Sequence, residues 1–79
     1  MRVQVLFFGA TADAVGEREI EIDLENDARA ETALALVLEQ FPQLQKHSLL
    51  FAVNQEYANG GETIKNGDEL AVFTAVSGG

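Results

Sequence analysis

The sequence predicts an α+β domain in which one main helix packs across one face of a mixed sheet of four to five strands. Three observations predict this class. Two N-terminal segments alternate apolar and polar residues with the two-residue period of a strand, a central segment repeats apolar residues with the period of an amphipathic helix, and short apolar runs follow it. An N-terminal pair of strands, a crossing helix and further strands favour the α+β layer arrangement.

The first two strands are predicted at residues 2–8 and 17–24. Apolar and polar residues alternate in both segments, which is typical of a strand with one buried face. The stretch between them contains small residues and has room for one helical turn. We therefore expect an antiparallel hairpin. The side chains expected on its inner face are those of Val3, Val5, Phe7, Ile20, Ile22 and Leu24.

The main helix is predicted at residues 30–41. Asn26 or Asp27 is the expected cap, because short polar side chains accept hydrogen bonds from the first amides of a helix. Pro42 is expected to end the helix, because proline lacks an amide hydrogen and disfavours helical backbone at the preceding residue. Residues 43–48 are expected to form a polar connector. The apolar stripe of the helix comprises Ala30, Ala33, Leu34, Val37, Leu38 and Phe41.

The second half of the chain predicts further strands separated by turns. Residues 49–54 and 70–76 are apolar runs of strand length, and glycine-containing turns are expected at residues 55–61 and 65–68, with a short strand or turn between the two runs. The first and last strands are expected to lie side by side in the middle of the sheet. No linker or internal repeat divides the sequence, so residues 1–79 are predicted to form a single domain with a flexible C-terminal tail.

The second face of the sheet is expected to be apolar and exposed, because a single crossing helix covers only one face. Leu6, Phe8, Ala71 and Phe73 would lie on that second face. An exposed patch of this kind is typical of a docking surface for a partner. The alternative is that loops cover these side chains.

The composition excludes several classes of function. The sequence has 13 acidic residues against 5 basic ones and a net charge of −8, so neither nucleic acid nor an anionic membrane surface is expected as a partner. A basic protein would be attracted, although acidity also serves solubility alone. The absence of Cys excludes disulfides, thiolate metal sites and a catalytic thiol, and it fits a cytoplasmic location. No apolar run approaches the length of about 20 residues that spans a bilayer.

No constellation of side chains predicts an active site or a metal site. His47 is the only histidine and lies in a polar stretch, where a solvated side chain is the ordinary case. The acids of the second strand alternate onto one face, which is typical of a solvated surface. Residues 59–63 contain glycines but lack the lysine and the following helix of a phosphate-binding loop. The remaining candidate for a reactive group is the main-chain carboxylate of Gly79.

The chain ends in the tail Val76-Ser77-Gly78-Gly79, and no charged side chain follows Glu69. Glycines lack a Cβ, so this tail is expected to be flexible and slender enough to enter a partner. A frayed terminus is the plain alternative. A carboxylate is a poor electrophile, so the Gly79 carboxylate would react only after activation, for instance as an acyl-adenylate. A sulfur nucleophile would then give a thiocarboxylate, and an amine would give an isopeptide.

Four short motifs carry a resemblance to a known family. Residues 5–8 read Val-Leu-Phe-Phe, residues 53–57 read Val-Asn-Gln-Glu-Tyr, residues 66–73 read Asn-Gly-Asp-Glu-Leu-Ala-Val-Phe, and the chain ends Val-Ser-Gly-Gly. In this order, and with a helix stopped at Pro42, they resemble the small, sulfur-carrying subunits of molybdopterin synthases, which belong to the ubiquitin-like β-grasp family. The likeness covers nearly the whole chain.

The resemblance implies a non-catalytic, sulfur-donating subunit that binds no cofactor itself. An adenylating, E1-like partner would activate the Gly79 carboxylate with ATP and magnesium, and sulfur would be installed as a thiocarboxylate. The loaded chain would dock on the larger catalytic subunit, within a heterotetramer, and donate sulfur to cyclic pyranopterin monophosphate in molybdenum cofactor biosynthesis. The residues implied at the interface are Leu6, Phe8, Ala71, Phe73, Thr74 and Ala75, beside the tail residues Val76, Ser77 and Gly78.

Related carrier roles stay open as alternatives. They are a sulfur carrier for thiamin or for a tungsten-type cofactor, a ubiquitin-like protein modifier that forms isopeptides through Gly79, and a plain β-grasp interaction module with an inert tail.

Two segments depart from the family pattern. Thr74-Ala75 stands where the family usually has Pro-Pro, so the tail is expected to be less stiff. Ala12-Asp13-Ala14 stands where the first loop commonly carries Arg-Glu-Leu, so the charged side chains of this loop differ from those of the family.

Overall fold

The computed structural model describes residues 1–75 and contains five strands, two α-helices and a short 3-10 helix in that range. The tail Val76-Ser77-Gly78-Gly79 lies outside the described residues. In chain order the elements are β1 (Arg2–Phe7), α1 (Ala10–Val15), β2 (Glu19–Asp23), α2 (Ala30–Gln40), the 3-10 helix (Pro42–Lys46), β3 (Leu49–Val53), β4 (Glu56–Tyr57) and β5 (Glu69–Thr74).

The strands form one mixed sheet in the order β2-β1-β5-β3-β4. β1 runs parallel to β5, while the β1–β2, β3–β5 and β3–β4 pairs are antiparallel. At the centre, Val5 lies opposite Ile20 on one side and Leu70 on the other. The predicted β-grasp order is confirmed, and so are the N-terminal hairpin and the central position of the first and last strands.

The hydrophobic core covers the inner face of the sheet, and it includes buried residues of α2. β1 contributes Val3, Val5 and Phe7, and β5 contributes Leu70 and Val72. Each such side chain stabilises the fold by about 1.5–3 kcal/mol when it is fully buried. The inner residues predicted for β1, β2 and α2 are all buried or packed against this core. The remaining buried members of the core are Ile22, Leu24, Ala30, Ala33, Val37, Leu44 and Ile64.

The region predicted as a polar connector contains the 3-10 helix Pro42–Lys46, whose Leu44 is fully buried. A single leucine among polar residues gives no hydrophobic period, so the pattern could not reveal this anchor. Pro42 does follow the end of α2 as predicted, and it stands in the first turn of the next helix, where its missing amide hydrogen costs nothing.

β4 lies where the sequence predicts only a turn. Asn54 and Gln55 both have positive φ, 49° and 71°, which is the backbone of a two-residue type I′ hairpin. Val53 consequently pairs with Glu56, and the strand continues to Tyr57. The prediction missed this hairpin because glutamine rarely adopts positive φ and gives no turn signal.

The caps predicted for α2, Asn26 and Asp27, are wrong because no side chain caps this helix. Its first amide groups instead donate hydrogen bonds to backbone carbonyl oxygens of Gly60 and Glu62, at 2.9 and 2.8 Å. These bonds satisfy the start of the helix from a loop that is distant in sequence. A local pattern carries no signal for such a cap.

The carboxylate of Glu62 organises this capping loop. Its two oxygens accept hydrogen bonds from the amides of Asn59 and Gly60, both at 2.9 Å. The bond from Asn59 contributes most, followed by the amide of Glu62 itself and that of Gly60, and together they lower the pKa of Glu62 below its ordinary value. Gly60 has a φ of 114°, and a Cβ there would lie 3.3 Å from the Cβ of Glu31, so this contact with α2 favours glycine.

Thr11 joins α1 to the ends of the two central strands. Its side chain is fully buried, and its hydroxyl is directed at the carbonyl oxygens of Phe8 and Val72, at 2.7 and 2.9 Å. The same oxygen accepts a hydrogen bond from the amide of Phe8 at 3.0 Å. Thr11 therefore holds the residue that follows β1 against β5.

We expect Thr11→Val to lower the free energy of unfolding by about 1–3 kcal/mol, because an isosteric apolar side chain leaves these buried polar partners with fewer hydrogen bonds. Denaturant unfolding measures the change. The matched control is Thr32→Val on the exposed surface of α2, where the expected change is within about 0.5 kcal/mol. Equal stability of the native protein and Thr11→Val would contradict the role of Thr11.

The lowered pKa of Glu62 predicts a pH-dependent contribution to stability. Since the folded-state pKa lies below the unfolded one, the stabilisation is fully present above the unfolded pKa and is lost as the pH falls through the folded-state pKa. Glu62→Gln should therefore lower the midpoint of thermal unfolding at neutral pH, and the difference should disappear in acid. Glu17→Gln, at an exposed carboxylate, is the control. A difference that stays constant across the pH series would oppose this assignment.

Candidate functional site

The outer face of the sheet, which points away from the core, is divided into a polar part and an apolar part. At the polar part, Arg2 lies opposite Asp23 and Gln4 lies opposite Glu21. The guanidinium of Arg2 contacts the carboxylates of Glu21 at 3.3 Å and Asp23 at 3.5 Å, and all three side chains are largely exposed. Exposed ion pairs of this kind stabilise little, so this part is a solvated surface.

The apolar part forms a continuous row across four strands. Leu6 of β1 lies opposite Ala71 of β5, which lies opposite Ala52 of β3, which lies opposite Tyr57 of β4. Directly opposite residues share a face, so these side chains are neighbours. We define the apolar patch as the six outer-face side chains Leu6, Phe8, Leu50, Tyr57, Ala71 and Phe73.

Three members of the apolar patch are strongly exposed: Phe8 at 51%, Leu50 at 40% and Tyr57 at 78%. Phe73 is half-buried because it lies opposite Leu50 and its ring centroid is 5.8 Å from that of Tyr57. Large exposed hydrophobics that lie together mark a surface for a partner. Of the four side chains predicted on this face, Phe8 is exposed, while Leu6, Ala71 and Phe73 are half-buried.

The prediction named four of these six side chains and missed Leu50 and Tyr57. Leu50 belongs to a short apolar strand in which every residue is hydrophobic, so no alternation assigns it to a face. Tyr57 lay in a predicted turn, and only the type I′ hairpin at Asn54 and Gln55 brings it back across Ala52. The sequence offers one signal for the position of Tyr57, which is that Asn54, a residue that favours turns, stands three positions before it.

The apolar patch adjoins the C-terminal end of β5. Since β1 and β5 are parallel, Phe8 and Thr74 lie at the same edge of the sheet, and the amide of Phe8 donates to the carbonyl of Val72 at 3.2 Å. Thr74 is half-buried and Ala75 is exposed, with the amide of Ala75 donating to the carbonyl of Ser48 at 3.3 Å. The chain continues from this edge into residues 76–79, which include the predicted reactive Gly79 and lie outside the described residues.

Two of the sequence motifs meet at the opposite end of β5 and serve the fold. The side chain of Asn54 donates to the carboxylate of Asp68 at 3.1 Å and accepts from the amide of Glu69 at 3.0 Å. The same carboxylate accepts from the amide of Lys65 at 2.8 Å. These bonds join the β3–β4 turn to the turn before β5, so the motifs at residues 53–57 and 66–73 maintain the register of the sheet.

Side chains of the described part of the chain form no cluster of three or more potential metal ligands. His47 is exposed, as are the acids of β2. No helix among residues 1–75 is long and apolar enough to cross a membrane. The candidate functional site therefore consists of the apolar patch and the chain end beside it.

Sequence comparison connects these features to a family. Residues 5–79 match the model of the ThiS family. The molybdopterin synthase sulfur carrier subunit of Caenorhabditis elegans is 40% identical to this chain, and the match covers 98% of this chain and 96% of that relative. The corresponding protein of Chlamydomonas reinhardtii is 34% identical over the full length of both chains.

Solved structures match over whole chains as well. The crystal structure of SAMP1, a small archaeal modifier protein, from Haloferax volcanii superposes with a TM-score of 0.90 at 29% identity and covers 100% of both chains. A protein–protein complex of subunits 1 and 2 of molybdopterin-converting factor from Helicobacter pylori matches with a TM-score of 0.71 at 27% identity and the same coverage. The chain thus belongs to the ThiS family, as a β-grasp homologue of the molybdopterin synthase sulfur carrier subunits.

Proposed function

We propose that this chain is the sulfur-carrier subunit of a molybdopterin synthase and that the carboxylate of Gly79 carries the sulfur. The observation that carries the proposal is the position of the apolar patch beside the end of β5, where an uncharged segment ending in Gly-Gly begins. This arrangement lets a partner hold the sheet face while the terminal carboxylate reaches its active site. The names of the homologous subunits support the same role.

Loading of sulfur requires activation of the carboxylate. A carboxylate oxygen of Gly79 attacks the α-phosphorus of ATP, an oxygen–phosphorus bond forms, and pyrophosphate leaves. Sulfide then attacks the acyl carbon, a carbon–sulfur bond forms, and AMP leaves with the electron pair of the carbon–oxygen bond. An adenylating, E1-like partner supplies the catalytic groups and uses ATP with magnesium, since the side chains of residues 1–75 form no cluster of potential metal ligands.

Delivery of sulfur requires a second partner. The larger catalytic subunit binds the apolar patch, and the thiocarboxylate of Gly79 donates its sulfur to cyclic pyranopterin monophosphate. Aromatic side chains such as Phe8, Tyr57 and Phe73 are typical anchors of protein interfaces. The complex of the two converting-factor subunits supports a partner of this type. The proposal includes a cytoplasmic location, which a chain without Cys fits.

A second candidate function is that of a protein modifier. The observation that favours it is the full-length structural match to the small archaeal modifier protein. The chemistry differs only in the nucleophile, since a lysine amine that attacks the same acyl-adenylate gives an isopeptide. The two functions are therefore distinguished by the product formed at Gly79.

The first test is intact mass spectrometry after incubation with the adenylating partner, ATP, magnesium and sulfide. We expect a gain of about 16 Da, the difference between a sulfur and an oxygen atom, at Gly79. A variant that lacks Gly78 and Gly79 should keep its mass. If the native chain also keeps its mass with a partner that loads a known carrier, the sulfur-carrier function is wrong, and lysine adducts of Gly79 in its place would establish the modifier.

The second test concerns the apolar patch. We expect Phe8→Asp to weaken binding to the larger subunit about 10- to 100-fold, because a carboxylate would be desolvated in an apolar interface. The matched control is Gln4→Asp, which adds the same charge to the same strand face at its exposed, polar part. Titration calorimetry measures both affinities. Native affinity in Phe8→Asp would place the interface elsewhere.

A further inference from the structure

A groove separates α2 from the segment that follows β2, on a side of the molecule that the proposed function does not use. It encloses about 530 Å³ and is open to solvent. Its apolar lining residues are Leu24, Ala28, Ala35 and Leu36. Leu24 is buried, while Ala28 and Leu36 are half-buried and pack against the core from one side only. The groove therefore offers apolar surface that the fold itself leaves partly uncovered.

One wall of this groove is a second stripe of α2. Thr32, Ala35, Leu36 and Glu39 are three or four positions apart, so they share one helical face. A different stripe of α2 enters the core, and its residues Ala30, Ala33 and Val37 are buried. On the stripe that lines the groove, Ala35 is exposed. A helix of this type has an apolar flank available to a partner.

The groove is acidic. Its lining includes four carboxylates and no basic residue, and the four are those of Asp23, Glu25, Asp27 and Glu39. Asp23 contacts Arg2, but no ion pair involving Glu25, Asp27 or Glu39 occurs within residues 1–75. The ammonium group of Met1 also donates to the carbonyl of Leu24 at 2.7 Å, so the unbalanced charge of the groove is that of Glu25, Asp27 and Glu39. Apolar residues beside these three carboxylates are complementary to a segment that combines positive charge with bulky apolar side chains.

The groove and the apolar patch lie on different sides of the sheet, because α2 packs against the core on the inner face and the apolar patch lies on the outer face. The amide of Leu24 bonds to the carbonyl of Met1, so the groove adjoins the N-terminal end of β1, whereas Phe8 follows its C-terminal end. A strand of six residues separates these ends by roughly 17 Å. A partner in the groove would leave the apolar patch accessible.

We propose that this groove is a second docking site and that its occupant is a basic, amphipathic protein segment with leucine-like side chains on one face. The apolar face enters between Leu24 and Leu36, and lysine or arginine side chains meet the carboxylates of Glu25, Asp27 and Glu39. This site binds a partner while the apolar patch is occupied. The inference rests on the groove alone and stands whether or not Gly79 carries sulfur.

The test uses the full chain and two synthetic peptides. One is a lysine-rich amphipathic peptide with leucines along one face, and the other has serine in place of each leucine. We expect the leucine peptide to bind and to shift the amide NMR signals of Leu24, Ala28, Ala35 and Leu36. The serine peptide should bind at least about fivefold more weakly, because only the leucine peptide buries apolar surface in the groove.

A pair of charge reversals tests the electrostatic part. Glu39→Lys, in the groove, should weaken binding of the leucine peptide about three- to tenfold. Glu19→Lys changes the net charge equally at an exposed position that does not line the groove, so it should have less than about a twofold effect. Equal weakening by both variants, equal binding of both peptides, or no binding of the leucine peptide would each overturn the proposal.

Discussion

The parallel pairing of β1 with β5 determines both the path of the chain and the position of the candidate functional site. Parallel neighbours need a long crossover, and the chain between them supplies it as α1, β2, α2, the 3-10 helix, β3 and β4. The crossover buries the inner face of both strands against the core and leaves their outer face uncovered. Because the two strands end at the same edge of the sheet, Phe8 and Ala75 both lie at the candidate functional site.

The alternation of side chains along these two strands makes the arrangement specific. A shift of one residue would exchange Val72 for Phe73 on the inner face, and the same holds for Phe7 and Phe8. Val72 and Phe7 are buried, so the core selects one register, and that register exposes Phe8. Thr11 secures the same junction with hydrogen bonds to both strands. The packing of the core thus determines which apolar side chains are available to a partner.

The sequence predicted the elements whose pattern is local. The two-residue period of β1 and the stripe of α2 placed Val5 and Val37 correctly in the core, and the same period placed Phe8 outside it. It failed where a distant part of the chain, or a turn formed by an unusual residue, decides the outcome. The start of α2 depends on backbone carbonyls of Gly60 and Glu62, and Tyr57 joins the apolar patch only because an unusual hairpin returns it to the sheet. The Gly79 carboxylate was inferred to be the reactive group because no constellation of side chains predicted an active site. Its role in carrying sulfur was implied by the family resemblance.

The proposed function joins two features, a patch that binds and a carboxylate that reacts, and it requires them to act in the same complex. The most direct measurement is a single-turnover reaction between the thiocarboxylated chain, the larger synthase subunit and cyclic pyranopterin monophosphate, followed by intact mass spectrometry of the chain. We expect the chain to return to its carboxylate mass, a loss of about 16 Da, as sulfur appears in the pterin product. A chain that keeps its sulfur in the assembled complex would contradict the sulfur-carrier function.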